Sequence, residues 1–301
     1  MATFVKILIG SILAAYLAMK WTAPSFHPES LKGARVLVTG ASSGIGEQMA
    51  YHYARFGAQI VITARREKVL QQVAEKCLSL GAQKALYIPA DMANESDPDR
   101  VVDFALEKLG GLDYLVLNHI GPTTFGMWEG DVEHTRWLMK VNFLSYIQMA
   151  WRALPSLEQS KGSLVVVSSL LGKMPNPFTL PYSSTKFALN GFFGSLYHEL
   201  AMKKSNVSIS ICTLGLIDTD SAMDKVRFVK YAKGRYKYTS LSRHRSRIKY
   251  HHHWSNKTTG PLLSVVHTSH NSNKRLVSFN DKLLHPELLQ LHSMNNICLQ
   301  H

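Results

Sequence analysis

The sequence predicts an α/β protein built on a doubly wound parallel sheet. Between residues 33 and 214, short β-branched runs alternate with segments whose apolar residues repeat at helical spacing. The predicted strands are apolar along their whole length, which is typical of strands that are covered on both faces. The first strand also runs directly into a glycine-rich turn that opens a helix. Together these observations favour a dinucleotide-binding type of sheet.

The elements follow one another in a regular order along this part of the chain. The six predicted strands are residues 35–39, 59–63, 84–89, 113–118, 163–169 and 207–214. The predicted helices between them are residues 44–56, 66–80, 97–109, 131–154 and 182–203. Right-handed crossovers place these helices on both faces of the sheet. Ligands of such sheets bind outside the carboxyl ends of the strands, where site residues are therefore expected.

Most of the positive charge lies in a C-terminal tail. Of the 34 Lys and Arg, 13 follow residue 225, where Asp281 and Glu287 are the acids, so this segment holds +11 of the formal +13. The basic composition therefore gives no reason to expect a nucleic-acid partner for the folded part. We divide the chain into a domain at 30–225 and a basic, His- and Ser-rich tail at 226–301, which is expected to be loosely ordered.

The sequence gives little support for a nucleic-acid or metal site in the tail, or for a disulfide or zinc framework. Residues 227–249 interleave aromatic and basic residues and would bind nucleic-acid phosphate without base selectivity. The apolar N-terminal segment, which resembles a secretory leader, argues against a nucleic acid as partner. The three adjacent histidines at 251–253 lack the preset geometry of a metal site. Three scattered cysteines do not form a disulfide framework or a zinc site, so no metal is expected.

The N-terminus, residues 1–22, resembles a targeting segment. An apolar run from Ile7 to Met19 lies between two lysines. As a helix it would span roughly 20 Å, which fits a signal peptide or a short signal anchor. We therefore expect entry into the secretory pathway, with the protein secreted or anchored at the membrane in the endoplasmic reticulum lumen. Glycosylation sequons begin at Asn94, Asn206 and Asn256.

The glycine turn and the end of the second strand predict the cofactor. Gly40, Gly44 and Gly46 in TGASSGIG allow backbone N–H groups to approach a pyrophosphate at a helix N-terminus. Arg65 and Arg66 follow the second strand, where an NAD site would often place a carboxylate. Arginine can pair with a 2′-phosphate, so NADP is favoured, although a solvated helix start is the plainer reading. Asp91 after the third strand could hold the adenine amino group or cap the next loop.

A second set of residues predicts proton-transfer chemistry. Tyr182 and Lys186 lie one helical turn apart, and a nearby ammonium lowers the pKa of a phenol toward a useful range. Ser169 ends the fifth strand, where its hydroxyl could hold a carbonyl oxygen. Asn118 ends the fourth strand. Asn142 is an unusual amide inside a helical pattern, and it could equally be a buried amide bonded to backbone.

These residues identify a resemblance. The chain resembles the short-chain dehydrogenase/reductase family, and within it the 11-beta-hydroxysteroid dehydrogenase group. The resemblance covers residues 1 to about 225 and is carried by the glycine turn, the site residues above and the segments LVLNHIG, KVNFLSY, GSLVVVSSLLGK, PYSSTKFALNGFFGSL and TLGLIDTDSAM.

The resemblance implies a role for each matching residue. Tyr182 relays the proton, Lys186 lowers the tyrosine pKa and bonds the nicotinamide ribose, Ser169 positions the carbonyl, and Asn142 holds a water of the relay. The substrate is implied to be a steroid or related lipid alcohol or ketone, contacted by Ser169, Leu170 and Tyr182. Beside the residues already named, the implied NADP contacts are Ser42, Ser43, Ile45, Met92, Asn118, His119, Leu214, Gly215, Ile217 and Thr219.

The resemblance also implies a homodimer formed through the helices at 131–154 and 182–203. Beyond Lys225 the family would supply a further helix, a seventh strand and a segment covering the substrate, and none is recognisable in this sequence. The seventh strand is therefore expected to be missing or replaced. Two functions stay open at this point: an NADP-dependent alcohol dehydrogenase, and a non-catalytic or poorly folded isoform with an altered C-terminus.

Overall fold

A computed structural model of the 301-residue chain describes residues 4, 9–16, 28–123, 125–215 and 266–267. The structure confirms the doubly wound sheet. Its strands are β1 (Arg35–Thr39), β2 (Gln59–Ala64), β3 (Lys84–Pro89), β4 (Tyr114–Leu117), β5 (Ser163–Ser169), β6 (Ser208–Leu214) and β7 (Val266–His267). Their order across the sheet is β3-β2-β1-β4-β5-β6-β7. Residues 9–16 at the N-terminus are helical.

The helices of the domain are α1 (Gly44–Arg55), α2 (Glu67–Ser79), α3 (Asp97–Leu109), α4 (Val132–Met139), α5 (Ser145–Ser160) and α6 (Leu180–Met202). A π-helical turn (Lys140–Leu144) joins α4 directly to α5, and short 3-10 helices lie at Pro28–Leu31 and Leu170–Gly172. The one predicted helix at 131–154 is thus longer than expected and contains a π-turn. It continues through Pro155, which is exposed, as is Trp151 one turn before it. The Trp151 carbonyl that loses its N–H partner can therefore bond to water.

Strands β1 to β6 pair in parallel, as their unbroken apolar runs predicted. Two buried clusters cover the sheet. One packs α1 and α2 on side chains such as Val38 and Ile62, and the other packs α3, α5 and α6 on side chains such as Leu115 and Val166. The strand order reverses between β1 and β4, so a crevice opens at the carboxyl ends of these two strands.

The seventh position of the sheet is filled by an unusual strand. The two residues of β7 pair antiparallel with β6, opposite Cys212 and Thr213. This strand begins at the last residue of the apolar PLLSVV stretch of the tail, and it takes the place of the seventh strand that the resemblance implied. The other tail residues lie outside the described part of the chain, as do Ile217, Thr219 and the histidines at 251–253.

Neither a membrane-spanning helix nor a metal cluster is found in the described ranges. No helix there has both the length and the hydropathy that a membrane span requires. Within the same residues, no group of three or more His, Cys, Asp or Glu is placed to hold a metal ion.

Candidate active site

The glycine turn between β1 and α1 is locked to the end of β4. Gly40 and Gly44 have φ of +66° and +61°, a backbone region that residues other than glycine rarely adopt. The Asn118 amide donates to the carbonyls of Thr39 (3.2 Å) and Gly40 (3.3 Å). A Cβ on Gly46 would lie 2.4 Å from Asn118 Nδ2 and from the Gly40 oxygen. The turn therefore holds its shape only with glycine at these positions.

The turn and the N-terminus of α1 fit a dinucleotide phosphate. Ser43 is the N-cap of α1, and its side chain caps no N–H group, so the helix terminus keeps donors for an anion. Arg66 is exposed, and its guanidinium donates to the Ser42 carbonyl (2.9 Å) and hydroxyl (3.1 Å). Arg65 is exposed beside it. Two positive charges thus lie at the end of β2, next to the glycine turn.

The end of β3 supplies the next part of the crevice. Met92 is buried, whereas Asp91 is exposed and its carboxylate accepts the N–H of Ala93 at 3.0 Å. Asp91 therefore takes the loop-capping role that the sequence left open, and its exposed carboxylate still faces solvent. A cavity of about 400 Å³ lies behind Met92, between the β3–α3 loop and the helix at 132–148. That cavity does not reach the tyrosine described next.

Ser169, Tyr182 and Lys186 are brought together at the carboxyl end of β5. The Ser169 hydroxyl lies within hydrogen-bonding reach of the Tyr182 phenol, and it accepts the Leu171 N–H at 3.2 Å. Lys186 is 1% exposed, and its Nζ donates to the Val167 carbonyl at 2.8 Å. This Nζ lies 5.8 Å from the centre of the Tyr182 ring. The arrangement joins a hydroxyl that can hold an oxygen to a phenol that can transfer a proton.

The electrostatics of this group differ from the expectation in one respect. Burial raises the pKa of Tyr182, and the hydrogen bond with Ser169 lowers it only in part. Burial lowers the pKa of Lys186 to about 7, so at neutral pH this side chain carries only part of its charge. The sequence predicted that the ammonium would lower the tyrosine pKa. In the structure burial has the largest effect on the pKa of Tyr182, and the contribution that lowers this pKa comes from Ser169.

Asn142 lies inside the π-turn and is fully buried. Its Oδ1 accepts the Gly121 N–H at 2.7 Å, and its Nδ2 donates to the Thr185 hydroxyl at 3.4 Å. The side chain thus ties the loop after β4 to α6 one residue before Lys186. These contacts show the buried-amide role that the sequence left open, while the water-holding role stays a prediction; π-turns are frequent at functional sites.

The remaining predicted contacts surround the same crevice. Leu170 opens the 3-10 turn after β5, and a Cβ on Gly215 would lie 3.6 Å from the Leu170 side chain. Leu214 ends β6 and is buried. His119 is buried, and both of its ring nitrogens contact protein atoms. Ser42 and Ser43 lie in the turn itself and Ile45 in the first turn of α1, and all three are partly exposed.

Several residues that sequence reasoning missed support the site. Thr39 accepts the Asn118 N–H at 2.9 Å. Phe125 packs edge-on against Tyr182, with ring centres 5.9 Å apart. Asn190 donates to the Ser168 hydroxyl (2.9 Å) and to the Lys186 carbonyl (2.8 Å). Asn190 could have been selected from the sequence, since it is an amide four residues after Lys186 within an apolar helix. Phe125 could not, because its contact with Tyr182 depends on how the loop after β4 folds back.

We expect replacement of Lys186 by methionine to change how stability depends on pH. The folded pKa of about 7 lies below the ordinary value of 10.5. Between those values the unfolded chain binds a proton that the folded chain has released. The free energy of unfolding of the unmodified protein should therefore rise across this window, by at most about 1.4 kcal/mol per pH unit. The variant lacks this slope. Urea denaturation from pH 7 to 10 measures the difference.

The exposed Lys173 provides the control for this experiment, since its replacement by methionine should leave the slope unchanged. Parallel stability curves for the Lys186→Met variant and the unmodified protein would contradict a lysine buried in the folded state with a lowered pKa.

Comparisons with known proteins agree with this geometry. A family model described as short chain dehydrogenase matches residues 34–229. A relative from Danio rerio, named hydroxysteroid 11-beta-dehydrogenase 1-like protein, is 72% identical over 227 residues, which are 75% of this chain and 79% of the relative. A relative of the same name from Homo sapiens is 56% identical over 221 residues, 73% of this chain and 70% of that protein.

The fold also matches solved structures. A short chain dehydrogenase from Burkholderia cenocepacia in complex with NADP is 30% identical, with a TM-score of 0.59, over 64% of this chain and 77% of that one. A short chain dehydrogenase/reductase from Burkholderia phymatum in complex with NAD is 23% identical, with a TM-score of 0.61, over 65% of this chain and 69% of that one. At that identity the second likeness concerns the fold alone.

Proposed function

Given that the chain belongs to the short-chain dehydrogenase family, we propose that it is an NADP-dependent oxidoreductase that interconverts a secondary alcohol and a ketone. The observation that carries the proposal is the placement of Tyr182 beside Ser169 and the buried Lys186, at the carboxyl end of the same sheet whose first strand leads into the glycine turn. We further propose a hydroxysteroid or related lipid alcohol as substrate, in keeping with the names of the most similar relatives.

The chemistry needs one hydride and one proton. When bound, NADP supplies or accepts the hydride at the substrate carbon. In the reductive direction Tyr182 donates its phenolic proton to the carbonyl oxygen, and Ser169 holds that oxygen by a hydrogen bond. Because burial raises its pKa, Tyr182 is protonated at neutral pH and is ready to donate. Lys186 and an Asn142-held water would then return a proton to the phenolate.

The surroundings of Tyr182 suit an apolar substrate. Phe125 packs on the tyrosine ring, and the Gly126 N–H bonds to the Phe178 carbonyl at 2.9 Å, which holds this loop against the start of α6. Several large apolar side chains close in sequence to Phe125 or to Phe178 are exposed: Ile120, Met127, Trp128, Met174 and Leu180. An apolar surface of this kind is typical of a binding site for a lipid-like molecule.

Purified protein should therefore oxidise NADPH in the presence of a steroid or other lipid ketone, or reduce NADP with the corresponding alcohol. Absorbance of the reduced nicotinamide measures this, and a panel of apolar and small polar ketones tests the substrate class. Turnover of the small polar ketones alone would overturn the lipid substrate. Absence of all turnover, with a broad melting transition indifferent to NADP, would favour a non-catalytic isoform instead.

The proposed preference for NADP rests on the charges at the end of β2. Arg66 lies against the glycine turn and can pair with a 2′-phosphate. Replacing Arg66 by alanine should weaken NADP binding at least about tenfold and leave NAD binding nearly unchanged, since a charged hydrogen bond contributes roughly 1.5–3 kcal/mol. Fluorescence titration with both nucleotides measures this. Alanine at the exposed Arg55, at the far end of α1, is the control. An equal loss for NAD and NADP would refute the discrimination.

We also propose that two chains pair through α5 and α6. Exposed apolar side chains on these helices are Trp151 at 76%, Met202 at 83% and Phe187, and Leu144 is exposed at the end of the π-turn just before α5. An apolar surface of this kind is typical of a subunit interface. Sedimentation of the purified protein tests the proposal, and a monomer at micromolar concentration would overturn it.

The N-terminal segment supports a proposed route into the secretory pathway, to the endoplasmic reticulum lumen or beyond. Ile9, Ile12, Leu13 and Tyr16 are exposed on the helical residues 9–16, which suits insertion into a translocation channel or a membrane. The sequon at Asn94 is exposed as well. A mobility shift on glycosidase treatment of the expressed protein would support this location, and a glycan-free chain in the cytosol would overturn it.

A further inference from the structure

His119 lies where the loop after β4 passes between the glycine turn and the π-turn. His119 is 8% exposed. Nδ1 lies 2.9 Å from the Thr39 hydroxyl. On the other side of the ring, Nε2 lies 2.8 Å from the Ser145 hydroxyl and 3.1 Å from the Val141 carbonyl. The ring therefore spans the distance between β1 and the helix that carries Asn142.

The hydrogen-bond partners favour the neutral tautomer of this ring that carries its proton on Nε2. The Val141 carbonyl only accepts, and the Ser145 hydroxyl already donates to it at 2.7 Å. A proton on Nε2 can be donated to the same carbonyl, which lies 3.1 Å away. Thr39 Oγ1 accepts the Asn118 N–H, and its own proton can go to Nδ1 at 2.9 Å or to the Val116 carbonyl at 3.1 Å, of which Nδ1 is the nearer. Burial, with a smaller effect of Lys186, lowers the pKa of His119 to about 3, which agrees with a neutral ring.

A tyrosine fixes His119 from a third direction. The Tyr146 hydroxyl donates to the His119 carbonyl at 2.7 Å, and the two ring centres are 4.5 Å apart. The Tyr146 ring in turn lies 5.8 Å from Lys186 Nζ. The backbone and the ring of His119 are thus both held by the residues that follow the π-turn.

The residues that His119 joins are neighbours of the site residues along the chain. Thr39 immediately precedes Gly40. Val141 and Ser145 stand on either side of Asn142, and the Val141 carbonyl accepts from two side chains, those of His119 and Ser145. A π-turn disturbs the regular main-chain bonding of a helix, so these side-chain bonds help to stabilise its shape.

We propose that His119 is a positioning residue that holds the π-turn in register with the glycine turn, so that Asn142 and Lys186 face the bound cofactor correctly. The inference rests on the proposed dehydrogenase function and assigns to the His119 ring a role other than cofactor contact, because both ring nitrogens are already used by the protein. The Nε2–H bond to Val141 and Ser145 is the contact that carries the role.

Three variants separate the two ends of the ring. In His119→Gln, the longer side chain can place an amide N–H where Nε2 stood and so keep the bond to Val141. In His119→Asn, the shorter amide reaches only the Thr39 side. In His119→Phe, the volume is kept and both bonds are lost. His198→Asn, at an exposed histidine of α6, is the control.

We expect kcat to fall on the order of 10- to 100-fold in the asparagine and phenylalanine variants, since misplacement by about 1 Å can cost that much. KM for the ketone and the dissociation constant for NADP should change less than about threefold, and the glutamine variant should recover most of kcat. An equal loss in all three variants, or a loss in NADP affinity instead of kcat, would overturn the proposal.

Hydrogen exchange provides a readout that needs no substrate. The amides of residues 140–146 should exchange faster in the asparagine and phenylalanine variants than in the unmodified protein or the glutamine variant. Unchanged exchange in this segment would overturn the positioning role even if the enzyme is active. Absence of turnover in the unmodified protein would instead reject the proposed function, while the exchange data still test His119.

Discussion

Replacing Tyr182 by phenylalanine is expected to lower kcat by about 10²- to 10⁴-fold, the usual contribution of a positioned proton donor. The variant keeps the ring that packs against Phe125 and removes only the hydroxyl that bonds to Ser169. Binding of NADP and the melting temperature should therefore change little. Steady-state rates with a substrate ketone, together with a fluorescence titration of NADP, separate the chemical step from binding.

Tyr197 provides the matched control, because it lies on the same helix, α6, farther from the site. Its replacement by phenylalanine should leave kcat within about twofold. If the Tyr182→Phe variant kept more than a tenth of the original kcat, another group would have to transfer the proton, and the proposed assignment would be rejected.

Replacing Gly46 by alanine is expected to distort the glycine turn and to leave the surroundings of Tyr182 unchanged. The new methyl group would meet Asn118 Nδ2 and the Gly40 oxygen, each at 2.4 Å. The amide must then move, and the bonds that hold Thr39 and Gly40 are lost with it. We expect the free energy of unfolding to fall by about 1–3 kcal/mol and the stabilisation by NADP to disappear. Thermal melts with and without NADP measure both effects.

Gln48→Ala tests the same helix without the clash, since Gln48 is exposed on α1. This control should melt as the unmodified protein does and should still be stabilised by NADP. A Gly46→Ala variant with a normal melt and a normal response to NADP would show that the turn can adapt, which would contradict the close packing of Gly46 on Asn118.

The sheet could be predicted from the sequence because each of its parallel strands is an unbroken apolar run. All six predicted strands are present, and their bounds differ by about one residue, as at β6, which begins at Ser208. The π-turn could not be predicted, since KVNFL has the same apolar spacing as the α-helix around it. The antiparallel β7 was missed for a related reason, because two residues are too few to give a periodic signal.

The site residues could be selected from the sequence because strand ends meet at one edge of a parallel sheet. Ser169, Tyr182 and Lys186 do lie together. The electrostatics could not be obtained in the same way. The pKa of Tyr182 depends on how deeply the phenol and Lys186 are buried, and burial is decided by distant elements. The contact of Phe125 with Tyr182 likewise depends on the path of a loop.

The edge of the sheet at β6 affects how the protein behaves at high concentration. β7 covers Cys212 and Thr213, and in the described part of the chain the other residues of β6 have no ladder partner on that side. Uncovered main-chain donors and acceptors on an edge strand attract strands from other molecules. Because β7 occupies the main chain at Cys212 and Thr213, it keeps strands of other molecules away from the part of β6 that lies next to the crevice.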